Sequence, residues 1–92
     1  MLANNITEKE EQLLNLAYNS VRKRVADALI LLSQKEDYKS FHVLREDLAR
    51  IVGTAKESVI RMLKEFKNDE YIDISEGNII ILDLKKLSNL PS

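Results

Sequence analysis

Apolar side chains recur along the first third of the chain at three- and four-residue steps: Leu13, Leu16, Ala17, Val21, Val25, Ala28, Leu29 and Leu32. That period gives a helix one dry side and one wet side, so the pattern predicts helix from about Thr7 to Ser33. Thr7 and Glu10 have capping-box spacing at its start. Asn19-Ser20 interrupts the run, and both residue types compete for backbone hydrogen bonds that a helix interior already uses. The reading is therefore two helices, about 8–18 and 21–33, with Ser20 capping the second; a single bent helix is the competing reading. The polar stretch QKEDYKS, 34–40, reads as a loop, and FHVL, 41–44, as a short strand.

Two more helical stripes follow. Residues 45–52 place Leu48, Ala49, Ile51 and Val52 inside, and residues 55–67 place Val59, Met62, Leu63 and Phe66 inside. The segments YIDIS and NIIIL flank Glu76-Gly77 and predict a hairpin of strands at about 71–75 and 78–82, with Gly77 supplying the positive φ of a tight turn. DLKKL, 83–87, reads as a closing turn of helix. There is no internal repeat and no low-complexity segment.

The connection between the second and third helical runs is only about three residues long. With Arg45 as position one, Ala49 is position five, where a small side chain lets two helices approach. Gly53 is position nine, where the first helix ends in a left-handed conformation, and Val59 is position fifteen, packing back onto the first. Leu48, Met62 and Leu63 complete that small core. These offsets suit two helices crossing steeply over a short turn. The element order is helix, strand, helix, turn, helix, strand, wing, strand. The fold class that follows is mainly α with a small β-hairpin, a winged helix-turn-helix.

Composition narrows the functions. A chain of 92 residues makes one small domain, and its 45% apolar and 32% charged content is ordinary for a globular protein. No apolar run reaches membrane-spanning length, and MLANNITEKEEQ lacks the pattern of a secretion signal. The absence of cysteine excludes disulfides and thiolate zinc sites and fits a reducing, cytoplasmic location. A net charge of −1 gives no overall footprint for a polyanion, but the distribution is uneven. Residues 21–32 hold Arg22, Lys23 and Arg24 against Asp27, and residues 53–67 hold Lys56, Arg61, Lys64 and Lys67 against Glu57 and Glu65. Both segments are net positive, while the two ends of the chain are net negative.

No residue set supports an enzyme. His42, the single histidine, has no second metal ligand and reads as a strand residue. Glu10-Glu11 and Glu46-Asp47 have no nucleophile nearby and read as surface charge. GTAKES is not a phosphate loop, and Tyr18, Tyr38 and Tyr71 are too dispersed to stack single-stranded bases. The informative surface is the outer face of the 55–67 helix, with Lys56, Glu57, Ile60, Arg61 and Lys64. Such a face can enter a DNA major groove, where arginine holds guanine O6 and N7, glutamate accepts from the cytosine amino group, and Ile60 meets a thymine methyl. From spacing alone, Glu57 and Arg61 are equally an ordinary i,i+4 salt bridge. Two functions therefore stand: sequence-specific binding of duplex DNA, and a winged-helix protein–protein interaction module favoured slightly by neutral charge and by Glu76 at the wing tip.

VRKRVADALILL, REDLARIVGTAKESVIRMLKEFKNDEYI and GNIIILDLKKL together resemble the C-terminal DNA-binding domain of the Crp/Fnr family of bacterial transcription regulators, over about residues 17 to 87. The most telling part is Arg45 to Leu63, with Glu57 and Arg61 in the pattern E-x-x-x-R. The resemblance implies that Lys56, Glu57, Ile60 and Arg61 contact bases, which tips the Glu57–Arg61 question toward DNA. It implies phosphate contacts by Arg45, Ser58 and Lys64, and by Val21 and Arg22 at the start of a helix whose N-terminus approaches the backbone. Lys56 stands where an arginine is found and lacks its bidentate fork. Ala55 stands where a phosphate-bonding serine is common, Ile60 replaces a small residue, and Leu44 cannot cap its helix as Ser or Thr would.

The resemblance further implies that residues 1–19 are the end of a dimerisation helix, with Asn19-Ser20 as hinge, and that 20–92 are the DNA-binding domain. No β-barrel sensor domain fits in residues 1–20, so the expectation is an excised C-terminal domain rather than a naturally short relative. Any effector would then bind a sensor domain outside this sequence, with no cofactor in this chain. The implied partners are a double-stranded inverted-repeat operator, a second copy when full length, and RNA polymerase, with no membrane.

Overall fold

The structure, a computed structural model, describes residues 2–91, with side chains described from Ala17 onward. The chain forms α1 (Leu2–Lys35), β1 (Phe41–His42), α2 (Arg45–Val52), α3 (Lys56–Asn68), β2 (Ile72–Ser75), β3 (Asn78–Ile81) and α4 (Leu84–Ser88). The expected order of elements is present, and the largest departure is at the start.

Residues 2–35 are one helix rather than two. It starts upstream of Thr7 and runs through Asn19-Ser20 without a break, so Ser20 caps nothing. Tyr18, Val21, Val25, Ala28, Leu29 and Leu32 lie on one dry side packed in or against the core, while Ser20 is exposed. That continuous seam outweighs the poor helix propensity of Asn and Ser, which costs only about half a kcal/mol per residue. The roles expected of Leu13 and Leu16 fall outside the described side chains.

The core gathers one face from every element. Val25, Ala26 and Leu29 of α1 meet Leu48, Ala49 and Val52 of α2, and Val59, Met62, Leu63 and Phe66 of α3. Phe41, Ile72 and Ile79 close it from the sheet, and Leu87 and Leu90 from the C-terminal segment. The sheet has three strands in the order β1-β3-β2, all antiparallel, so Phe41-His42 joins the hairpin as an edge strand by pairing with Ile79 and Asn78. Opposite residues Ile74 and Ile79 point inward, and Asp73 and Ile80 point out. The hairpin turn has positive φ at both centres, 52° at Glu76 and 82° at Gly77, the pattern that matches the right-handed twist of two strands joined by two residues.

One buried polar group lacks a partner. The Ser33 hydroxyl is fully buried near the C-terminal end of α1 and, among the described residues, makes no hydrogen bond. An unsatisfied buried hydroxyl costs about 1–3 kcal/mol. Ser33→Ala is therefore expected to stabilise the fold by about 1 kcal/mol, read as a higher urea midpoint at unchanged slope. A lower midpoint would mean that the hydroxyl contributes a bond.

Candidate nucleic-acid interface

The corner between α2 and α3 aims α3 outward. α2 ends at Gly53, whose φ of 80° and ψ of 42° are left-handed, and both Gly53 and Thr54 donate their N–H to the Ala49 carbonyl, at 2.8 and 3.0 Å. Only three residues, 53–55, separate the helices. Ala49 is buried under the crossing, and Val59, fully buried, packs α3 back onto it. The small residue, the left-handed glycine and the β-branched residue thus occupy the places expected from their spacing.

Neither helix has a side-chain cap. Leu44 and Ala55 sit at the two N-cap positions in extended conformation and accept nothing through a side chain. At α3 the Ala55 carbonyl takes the N–H groups of Ser58 and Val59, and among the described residues nothing accepts from the N–H of Lys56 or Glu57. A helix start with open donors carries partial positive charge, which suits a phosphate.

With Val59, Met62, Leu63 and Phe66 turned inward, 3.6-residue periodicity turns Lys56, Glu57, Ile60, Arg61 and Lys64 outward. All five are exposed; Ile60 keeps 46% of its surface in water. No ion pair joins Glu57 to Arg61, so the i,i+4 salt bridge allowed by spacing is not formed, and both groups are free to meet a ligand. Among the described residues Arg61 and Lys64 have no acidic partner. Lys56 does: its Nζ lies 2.8 Å from Oε1 of Glu46 in the first turn of α2. The hydrogen bond and charge of Lys56 hold the Glu46 carboxyl below its usual range, and Glu46 holds Lys56 above its own. The Glu46 contribution is present above the usual carboxylate pKa and lost as pH falls through the lowered one; both groups are at the surface, so the effect on stability is small.

The phosphate-contacting candidates divide. Arg45, Ser58 and Lys64 lie on or beside the α2–α3 face. Arg45 Nη1 donates to the Val43 carbonyl at 3.3 Å, which fixes its stem and leaves other guanidinium donors open. Val21 and Arg22 do not join them. Val21 is deep inside α1, so its N–H belongs to the helix ladder and not to a free N-terminus. Arg22 turns to the C-terminal end of α3, where its guanidinium lies 5.2 Å over the Phe66 ring and 3.4 Å from Asp69. Its side chain is only 17% exposed. One turn earlier on both helices, the Tyr18 hydroxyl donates to the Glu65 carboxylate. Burial and then that hydrogen bond raise the Tyr18 pKa, which keeps the phenol a donor. These two contacts join groups 47 residues apart in sequence, and the Glu46–Lys56 pair spans the corner, so none of the three shows as a local pattern along the chain.

Among the described residues there is no cluster of metal-ligating side chains, and no helix is long and apolar enough to cross a membrane.

A family model described as a Crp-like helix-turn-helix domain matches residues 23–90. The chain is similar to the transcriptional regulator SdrP of Thermus thermophilus, 30% identical over 95 residues that cover 97% of this chain and 47% of that one. It is 26% identical over 95 residues to the CRP-like cAMP-activated global transcriptional regulator of Mycobacterium tuberculosis, covering 96% of this chain and 42% of that one. Among solved structures, the Thermus thermophilus catabolite activator protein superposes with a TM-score of 0.85 at 26% identity, over 97% of this chain and 42% of that one. The chain thus spans less than half the length of these relatives. The similarity favours the regulator reading over the interaction module. With the tight corner, the hairpin and the outward α3 all in place, the chain belongs to the family of Crp-like helix-turn-helix domains.

Proposed function

We propose that this domain binds double-stranded DNA sequence-specifically and so regulates transcription, with α3 lying in the major groove. The single observation that carries the reading is that Glu57 and Arg61 stand unpaired with each other on one exposed stripe of a helix held by a rigid corner. Arg61 reads a guanine and Glu57 a cytosine amino group; Ile60 meets a thymine methyl, and Lys56 adds a single-point contact. Arg45, Ser58 and Lys64 hold phosphates on either side, and these fix the register of the helix without carrying sequence information. Two copies, paired through parts of a longer regulator, would place two α3 helices one helical turn apart and demand an inverted repeat. Within that regulator the DNA-contacting step belongs to this domain.

The test is a titration of duplex DNA by this chain at rising salt. Binding with log Kd rising linearly in log salt supports the reading. No salt-dependent binding at low ionic strength, together with retention of another protein, would move the function to the interaction module.

In the free domain Glu46 occupies the Lys56 ammonium, which must give up that carboxylate to contact a base. Glu46→Gln is therefore expected to raise affinity for duplex DNA roughly three- to tenfold at low salt, because that exchange is no longer needed and one negative charge is removed from the interface. Unchanged or weaker binding in the same titration would show that the pair positions Lys56 productively.

A further inference from the structure

Beside the reading stripe, and sharing Ile60 and Lys64 with its edge, α3, the start of α2 and β2 border a groove of about 400 Å³. Its floor is apolar, formed by Ile60, Leu63 and Ile74, and its rim carries Arg45, Lys64 and Lys67. No carboxylate lines it. Among the described residues none of the three cations has an acidic partner, a state they share with several other surface cations, Arg61 and Lys85 among them. What sets these three apart is that they converge on one groove whose lining holds no carboxylate.

Ile60, Lys64 and Lys67 follow one another at steps of four and three, so they form one stripe along α3. Lys67 lies roughly 10 Å further along the axis than Ile60. The stripe therefore passes from the candidate base-reading end of the helix to its outer end, with the groove alongside. An apolar floor beneath a cationic rim matches one repeating unit of a nucleic-acid strand: a sugar face that sheds water and a phosphate that needs charge.

We propose that this groove seats the sugar–phosphate backbone of one DNA strand, and that Lys67 is a phosphate-contacting residue beyond Arg45 and Lys64. The proposal rests on the DNA-binding reading above and adds to it where the strand leaves the reading stripe. Lys67 neutralises a phosphate and reads no base, so its removal weakens binding to every sequence alike.

The test uses the whole chain with a mixed-sequence duplex of about 30 base pairs, because the phosphate contribution is independent of sequence. Kd is measured at several KCl concentrations for the wild type, Lys67→Gln, Lys67→Arg and Lys85→Gln, the last an exposed α4 lysine outside the groove. Lys67→Gln should reduce the slope of log affinity against log salt by about 0.9, so that the variant loses about threefold less affinity than wild type between 50 and 200 mM. Lys67→Arg should keep the wild-type slope, and so should Lys85→Gln. The proposal is overturned if Lys67→Gln keeps the slope of a wild type whose own binding falls with salt. It is also overturned if Lys85→Gln flattens the slope as much as Lys67→Gln, since bulk charge would then explain both. A wild type without salt-dependent binding would overturn the DNA reading itself, and the groove assignment with it. Lys67 is exposed, so the variants should melt at the wild-type temperature, which separates a lost contact from a lost fold.

Discussion

Arg61→Ala is expected to lower the affinity for a selected operator by about 5- to 150-fold for each half-site it leaves unread, while binding to scrambled duplexes changes little. The magnitude is that of one bidentate arginine–guanine pair, about 1–3 kcal/mol. Arg61 is exposed, and the fold gives it no carboxylate among the described residues, so its guanidinium reaches the duplex without breaking an existing contact. Arg45→Ala should behave differently. Its loss weakens selected and scrambled duplexes together and flattens the salt dependence by about 0.9 in slope, the mark of a phosphate contact. Both variants are titrated against the two duplexes over a range of salt, the operator having been selected from a random pool with a dimeric form of the protein. If the two variants give the same pattern, the division between base-reading and phosphate-holding residues is wrong.

Phe66→Ala is the change expected to damage the fold most. Phe66 is fully buried where α1, α3 and the hairpin meet, with the Tyr71 ring 6.3 Å from its own and the Arg22 guanidinium over its face. Emptying that site removes the transfer energy of the ring and leaves a cavity, about 3–5 kcal/mol together. A small domain holds only about 5–15 kcal/mol in total, so the variant should be partly unfolded at physiological temperature. The cation–π contact is lost with the ring, which leaves Arg22 held by Asp69 alone and slackens the tie between α1 and α3. Urea titration of Phe66→Ala beside Phe66→Leu reads both effects. The leucine variant should lose less, and equal losses would mean that the ring's size is not what the site uses.

The legible parts of this molecule were those set by local periodicity and by residues with one conformational use. Gly53 at a helix end, Ala49 under a crossing and Val59 facing back each have a reason that can be read from neighbours in sequence, and α2 and α3 appear within a residue of their expected bounds. The outward stripe followed from the same period, but Ile51, expected inside, is exposed, because the buried face of α2 is only as wide as Leu48, Ala49 and Val52. What was not legible depended on long-range packing. Asn19-Ser20 looked like a break because its intrinsic preference is visible in sequence, while the seam that holds α1 straight is not. That single difference takes Val21 away from a helix start, and in this structure Arg22 is paired with Asp69 rather than open to a phosphate. Likewise Glu46 looked like plain surface charge until the corner brought it to Lys56, and Phe41-His42 joined the sheet only through its partner β3.

DNA binding as proposed puts one face of α3 against the duplex. Backbone amide shifts of the isotope-labelled chain, followed by NMR while duplex DNA is added, locate the contacting face. The expected result is that the largest changes fall on Lys56, Glu57, Ile60, Arg61 and Lys64, with smaller ones at Arg45 and the wing. Changes centred instead on the exposed apolar residues Ile80, Leu82 and Leu84, with α3 unmoved, would contradict it.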